Sequence, residues 1–352
     1  MNNLIIKPDI SIRQAMKKLS QSGEKCLVIV NDMNILLGTL SDGDLRKAIL
    51  NGSDMSDSIH NIYNPKPTVL IDGKYEINKA KKLFTQKRFD LIPIVNDKDK
   101  LIDILLLGQI LDDGEKIQKR KLNASVVIMA GGKGTRMEPF TKVLPKPLVP
   151  IHDKPIIEHI IERFTDIGCS NFHLTVNYKG KILKAYFEEL HPQYDVSFVD
   201  ENEPLGTAGS LRFLDGKFKK PFFVTNCDII IKADYASLYN FHQRGEYDIT
   251  LVASAKEYII PYGTCELNGD GYLSHINEKP KYNFLINTGL YVLNPDVLKL
   301  IPKNKFYHIT HLIEDLKSNG KKVGVFPVDD DDWIDIGQWA EYKNAIDNFD
   351  KW

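Results

Sequence analysis

Two stretches near the start of the chain place apolar residues three and four positions apart: Ile12, Ala15, Met16 and Leu19, then Ile77, Ala80, Leu83 and Phe84. That spacing puts each set on one face of a helix. Each stretch leads into a short apolar run. Leu27-Val28-Ile29-Val30-Asn31-Asp32 recurs 65 residues later as Ile92-Pro93-Ile94-Val95-Asn96-Asp97. Both runs read as strands, each followed by a second strand and a short helix. A unit of this size cannot bury its apolar face alone. The two copies, about 1–58 and 59–114, are therefore expected to pack on one another as one α+β domain over 1–114.

From 112 to 123 the chain turns polar and basic, which predicts a linker over 115–124. Beyond Ser125, short apolar runs alternate with amphipathic stretches. Strands are predicted at 126–130, 172–176, 196–199, 222–225 and 249–253, with helices at 156–167 and 182–190. The alternation implies an α/β domain over 125–352, built on a Rossmann-like mixed, mostly parallel sheet covered by helices. In such a sheet, ligands sit beyond the carboxyl ends of the strands.

A length of 352 residues fits two or three domains, and 43% apolar with 26% charged residues is ordinary for a globular protein. A formal net charge of −1 recommends neither nucleic acid nor an anionic membrane as a partner. The most apolar stretch, 101–108, is too short to span a bilayer and contains Asp103. The start of the chain lacks a signal-peptide pattern. Cys26, Cys169, Cys227 and Cys265 are widely scattered, which predicts neither a zinc site nor a disulfide framework. The expected location is the cytoplasm.

The first strand of the second domain runs into Ala130-Gly131-Gly132-Lys133-Gly134-Thr135-Arg136. Glycines let the backbone approach a ligand closely and turn its N–H groups toward phosphate oxygens. The spacing is neither a Walker loop nor a dinucleotide fingerprint, because Arg136, Pro139, Pro145 and Pro147 stand where a helix should start. A proline-stiffened segment follows, with Arg136 at one end and Lys146 at the other. Arginine can clamp pyrophosphate with two hydrogen bonds, and lysine can set a point charge on a phosphate. Lys142 reads as a solvated lysine.

Gly-Gly-x-Gly-Thr-Arg, followed ten residues after the arginine by Lys-Pro-Leu, resembles the signature of the sugar nucleotidyltransferase family, whose members make nucleotide sugars such as GDP-mannose and dTDP-glucose. The resemblance covers about 125–350 and implies a GT-A-like fold. It assigns Ala130, Gly131, Gly132, Gly134 and Thr135 to the nucleotide, with Gly206 and Thr207 of Glu203-Pro204-Leu205-Gly206-Thr207-Ala208-Gly209 in a base-recognition loop. Arg136, Lys146, Asp228 and Asp335 take the catalytic positions, and Asp228 and Asp335 the Mg²⁺ positions. Asp228 lies in Thr225-Asn226-Cys227-Asp228, where cysteine replaces the family's usual glycine. Gly263, Glu278, Lys279, Asn287 and Thr288 match the family's sugar-phosphate motifs. The implied reaction joins a nucleoside monophosphate unit from a nucleoside triphosphate to a sugar 1-phosphate, with pyrophosphate leaving.

The repeat domain resembles a tandem CBS pair, or Bateman module. Gly38-Thr39-Leu40-Ser41-Asp42-Gly43-Asp44 carries that family's nucleotide pattern, which implies an adenine nucleotide on Ser41 and Asp44. The second copy has Leu106 and Gln109 at those places and has lost the pattern. A pure packing or dimerisation module remains the other reading, and a homo-oligomer through either domain is expected. The repeat fused to this transferase wording resembles the guanylyltransferases of bacterial legionaminic acid synthesis, which implies GTP and glucosamine 1-phosphate, for surface or flagellin glycans. Heptose- or mannose-1-phosphate guanylyltransferases and glucose-1-phosphate thymidylyl- or uridylyltransferases are the alternatives within the class. A nucleotide-sensing regulator with an inactive transferase domain is the alternative outside it. His308 and His311 read as helix-face residues, and the acidic run 329–332 as a solvated loop.

Overall fold

The computed structural model describes residues 2–87, 89–106 and 121–348. Gln109 and most of the predicted linker lie outside the described residues. Packing divides the chain into two units. The first comprises Met1–Gln118, Ala255–Leu285 and Asp329–Asp331; the second comprises Lys119–Ser254, Ile286–Val328 and Asp332–Trp352.

In the first unit, β1 (Ile5–Ile6), α1 (Ile12–Ser22), β2 (Cys26–Val30), β3 (Leu36–Ser41) and α2 (Asp42–Leu50) form the first repeat. The second repeat, β4 (Leu70–Ile71), α3 (Ile77–Lys87), β5 (Leu91–Val95) and β6 (Leu101–Leu106), follows the same order at the 65-residue offset. Each repeat is a three-stranded sheet with one parallel and one antiparallel pairing. Ser11 and Gln14 form a capping box that starts α1, and Gly23, left-handed at φ 70°, ends it. The helix buries Ile12, Ala15, Met16 and Leu19, the set its spacing predicts. In α3, Ala80 and Phe84 are buried, but Ile77 is 49% exposed, standing as the first helical residue one turn before Ala80.

The repeats join through matching turns. Asn31 Oδ1 accepts from the amides of Met33 and Ile35, and Asn96 Oδ1 from those of Lys98 and Lys100. Such side-chain acceptors shape a tight turn. The turns then pair with each other: the Leu36 amide donates to the Asp99 carbonyl and the Leu101 amide to the Asn34 carbonyl, both at 2.9 Å. Leu91, Leu101 and Ile104 enter the core of the first repeat.

The second unit is organised around β7 (Ser125–Met129). After a short pair, β8 (Pro150–Ile151) and β9 (Lys154–Pro155), come helix Ile156–Thr165, β10 (Asn171–Val176), helix Gly180–Leu190, β11 (Asp195–Asp200), β12 (Phe222–Asn226), β13 (Ile229–Ile231) and helix Tyr235–Arg244. The chain continues with β14 (Ile249–Ile259), β15 (Thr264–Leu267), β16 (Leu273–Asn277), β17 (Lys281–Leu293), helix Ile309–Ser318, β18 (Val323–Asp329), β19 (Trp333–Asp335) and helix Trp339–Asn348, of which β15, β16, the end of β14 and the start of β17 belong to the first unit. The main sheet has the order β11-β10-β7-β12-β17-β14-β18. β11, β10, β7 and β12 run parallel, and β17 lies antiparallel to β12. The fold is the mixed, mostly parallel α/β arrangement expected. Both faces of the sheet are buried: Val126, Ile128 and Phe223 pack in one core, Val127, Phe222 and Val224 in another.

The Ala255–Leu285 segment forms an arm of the first unit. It holds the end of β14, the antiparallel pair β15 and β16, and the start of β17. Ala255, at its root, is fully buried in the core of the first repeat.

Candidate active site

β7 delivers the chain directly into the glycine turn. A Cβ on Gly131 would stand 2.9 Å from Glu201 Oε1, so a larger residue here would push that carboxylate aside. Glu201 follows β11 and is 9% exposed. Its Oε2 accepts from the Leu205 amide at 3.3 Å, and the Asn177 side-chain amide donates to its carbonyl at 2.7 Å. A carboxylate thus sits beside the turn, at the head of the predicted base-recognition loop. Sequence reading missed it, although it stands only five residues before Gly206.

That loop is braced from behind. The Ala208 and Gly209 amides donate to the Tyr307 carbonyl at 2.9 and 3.1 Å, and the Tyr307 amide donates to the Leu205 carbonyl. Thr207 Oγ1 accepts from the Ile309 amide at 3.0 Å and lies 3.3 Å from His308 Nδ1. His308 caps helix Ile309–Ser318, its amide donating to His311 Nδ1. His308, read from the sequence as an ordinary helix-face residue, therefore touches the loop.

Pairing of β13 with β19 gathers the two aspartates. Ile229 lies opposite Asp335 in this antiparallel ladder, and the Ile336 amide donates to the Asp228 carbonyl at 2.8 Å. Lys146, in a helical turn after Pro145, is 7% exposed and its ammonium donates to Asp228 Oδ2. Lys142 is exposed and pairs with Glu138 at 3.1 Å, as a solvated lysine should. Around Gly337 the groups converge: a Cβ there would meet Asp335 Oδ1 at 2.7 Å, Asp228 Oδ2 at 3.4 Å and Arg136 Nη2 at 3.5 Å. Burial, and then the charge of Asp228, raises Asp335 above the ordinary carboxylate range. Burial also pushes the Cys227 thiol up to about 12, so the cysteine in the glycine's place brings no charge to the site.

Among the described residues, no three or more His, Cys, Asp or Glu side chains are grouped to hold a metal ion. Mg²⁺ needs only one or two carboxylates, with water and phosphate oxygens completing its shell. Two carboxylate oxygens facing one glycine meet that requirement.

The remaining predicted residues divide between the units. On the arm, Gly263 lies beside Glu278: a Cβ on the glycine would stand 2.9 Å from Glu278 Oε2. Lys279 follows with a left-handed backbone at φ 48°. In the second unit, buried Thr288 donates to the Val252 carbonyl at 2.9 Å, and Asn287 Nδ2 donates to the Tyr291 hydroxyl at 2.8 Å. In the first unit, Ser41 and Asp44 bond each other as a capping box on α2, Ser41 Oγ donating to Asp44 Oδ2 at 2.6 Å. The acidic run also differs from a solvated loop. Asp329 is 6% exposed, and Asp331 pairs with Lys17 at 3.0 Å.

Residues 125–351 match the family described as nucleotidyl transferase. The chain belongs to that family. Residues 1–51 match the CBS domain family. This nucleotidyl transferase is 36% identical over 230 residues to a mannose-1-phosphate guanyltransferase of Pichia angusta, covering 62% of each chain. It spans about three fifths of the length of that curated relative. Among solved structures, HddC of Yersinia pseudotuberculosis is similar at a TM-score of 0.50 and 28% identity, over 64% of this chain and 99% of that one. HddC complexed with GMP-PN gives a TM-score of 0.50 and 27% identity, again over 64% and 99%. No helix among the described residues is long and apolar enough to cross a membrane.

Proposed function

We propose that the protein transfers a guanosine monophosphate unit from GTP to a sugar 1-phosphate, yielding a GDP-sugar and pyrophosphate. The convergence of Asp228, Asp335 and Arg136 on one glycine, with Lys146 bound to Asp228, carries this reading. A sugar-phosphate oxygen attacks the α-phosphorus in line. The new P–O bond forms as the bond to the β-phosphate oxygen breaks, and pyrophosphate leaves with the electron pair. A phosphate monoester is largely ionised at neutral pH, so no general base is required. The chain's work is positioning and charge neutralisation. Lys146 and Arg136 offset charge on the α-phosphate and the departing pyrophosphate, and the turn at Ala130, Gly131, Gly132, Gly134 and Thr135 cradles the nucleotide. Asp228 and Asp335 would hold Mg²⁺, which would supply Lewis-acid screening between the two anions.

Guanine is favoured by Glu201. Guanine offers two adjacent donors, N1–H and N2–H, which a carboxylate accepts as a pair, whereas adenine and uracil lack that donor pair. The Pichia angusta relative is named a guanyltransferase, and HddC is described with GMP-PN. Gly206 and Thr207 border the base. Gly263, Glu278, Lys279, Asn287 and Thr288 serve the sugar phosphate. The acceptor is glucosamine 1-phosphate by the sequence resemblance to legionaminic acid enzymes; mannose 1-phosphate is the second reading, favoured by the named relative.

The test is pyrophosphate release with Mg²⁺ across the common nucleoside triphosphates, each with glucosamine, mannose and heptose 1-phosphates. Turnover with GTP alone supports the base assignment, and the active sugar names the acceptor. Silence across the grid in folded protein rejects the transferase reading and favours a nucleotide-sensing role for the repeats.

A further inference from the structure

The arm is fastened to the first repeat by one side chain in particular. Arg13 of α1 donates through Nη1 to the Ala255 carbonyl at 2.8 Å and through Nη2 to Asn283 Oδ1 at 2.6 Å. Its Nε lies 3.8 Å from Glu257 Oε1, and Glu257 in turn pairs with Lys281 at 3.2 Å. Arg13 therefore touches both strands at the root of the arm, β14 through Ala255 and Glu257, and β17 through Asn283. Asn283 also donates to Asp54 Oδ1, in the loop after α2, at 3.2 Å. That loop grips α1 itself: the Ile12 and Arg13 amides donate to the carbonyls of Asp57 and Met55 at 2.9 and 3.0 Å. One turn further along α1, Lys17 pairs with Asp331, four residues before Asp335. Positions four apart share a helix face. The Lys17 pair is half exposed at both ends and holds little by itself. Arg13, at 22% side-chain exposure, is the strong tie, since its planar fork satisfies two acceptors on two strands at once.

We propose that Arg13 is a positioning residue, through which the first repeat sets the arm so that Gly263, Glu278 and Lys279 receive the sugar phosphate. The inference rests on the sugar-side assignment of those residues made above. Small displacements of a binding group are costly, with misplacement by about 1 Å reaching up to a hundredfold in rate. A shifted arm weakens acceptor binding while leaving the nucleotide pocket of the second unit intact. A merely structural Arg13 would instead lower stability and spare the balance between the two substrates.

The experiment uses the full-length chain with GTP and whichever sugar 1-phosphate it turns over. KM for each substrate is measured in wild type, Arg13→Ala, Arg13→Lys, Asn283→Ala and Glu278→Gln. Arg13→Ala and Asn283→Ala are expected to raise KM for the sugar phosphate on the order of tenfold, with KM for GTP unchanged. Arg13→Lys should recover only part, because lysine cannot serve both strands. If Arg13→Ala fails to fold, Asn283→Ala carries the test from the arm side. Wild-type acceptor KM in Arg13→Ala and Asn283→Ala, alongside a raised KM in Glu278→Gln, overturns the positioning role and keeps the sugar-side assignment. An unchanged acceptor KM in Glu278→Gln overturns both. A lowered melting temperature and apparent kcat with both KM values at wild type assign Arg13 to stability alone, and equal shifts in both KM values show no preference for the acceptor; either result overturns the proposal.

Discussion

Replacing Asp228 by asparagine separates stability from catalysis. Asp228 and Lys146 form a mostly buried ion pair, with side chains 14% and 9% exposed. Removing one partner of such a pair ordinarily costs about 3–5 kcal/mol, because the other charge is left buried alone. Here the second carboxylate changes the sum. Asp335 faces Asp228 and is raised partly by its charge, so neutralising Asp228 relieves a repulsion and leaves Lys146 a nearby anion. The net loss should stay below about 2 kcal/mol, or less than roughly 8 °C in melting temperature for a unit of this size. Turnover has no such compensation. If Asp228 holds Mg²⁺ as proposed, its loss should remove about 3–5 kcal/mol of transition-state stabilisation, roughly two to four orders of magnitude in rate. Pyrophosphate release and a urea titration on the same preparation read both quantities. A rate within threefold of wild type (about 0.7 kcal/mol) refutes the catalytic role. A stability loss at the full value for a lone buried charge refutes the compensation by Asp335.

If Glu201 reads the base as proposed, Glu201→Gln removes one charged acceptor and should lower kcat/KM for GTP by about ten- to a hundredfold, the worth of a charged hydrogen bond. An unchanged ratio of GTP to ATP turnover removes Glu201 from base recognition. Gly131→Ala sets a methyl 2.9 Å from Glu201 Oε1 and should raise KM for GTP while sparing the acceptor KM, measured side by side. His242 is buried against Thr250, and burial lowers its pKa below 6.5 in the folded chain. The unfolded chain then binds more protons, so stability present above pH 6.5 is lost as pH falls below it. Urea titrations from pH 7.5 to 5.5 should show His242→Gln losing part of that slope; His173, lowered by burial and by Lys217, keeps the remainder. An identical slope in the variant excludes His242 as a contributor.

Local patterns carried much of this far. The 65-residue repeat, five strands of the main sheet and the buried face of α1 follow from periodicity, which depends only on neighbours along the chain. The glycine turn and the two aspartate motifs are likewise short and contiguous. β17 was missed because Asn287-Thr288-Gly289 interrupts its apolar run, and only its place between β12 and β14 in the sheet makes it a strand. Glu201 was missed because its burial depends on Gly131, seventy residues earlier. Asp329 was misread because a run of acids looks solvated until tertiary packing covers its first member. Arg13 bore no signal at all, since an arginine on a helix is ordinary until its partners, far along the chain, are known.

The first unit is assembled from three separate stretches of chain, and this bears on how the protein is made. During synthesis both repeats emerge well before the arm, with the first half of the other unit produced in between. Until Ala255 arrives, the seat it fills in the repeat core stands open, and Arg13 waits for acceptors on strands not yet translated. The nascent repeats should therefore be loosest at that seat, and open to proteases or chaperones there until the arm is delivered. For the same reason no single cut releases the repeats whole: an N-terminal fragment lacks the arm, and a C-terminal one carries an arm with nothing to lean on.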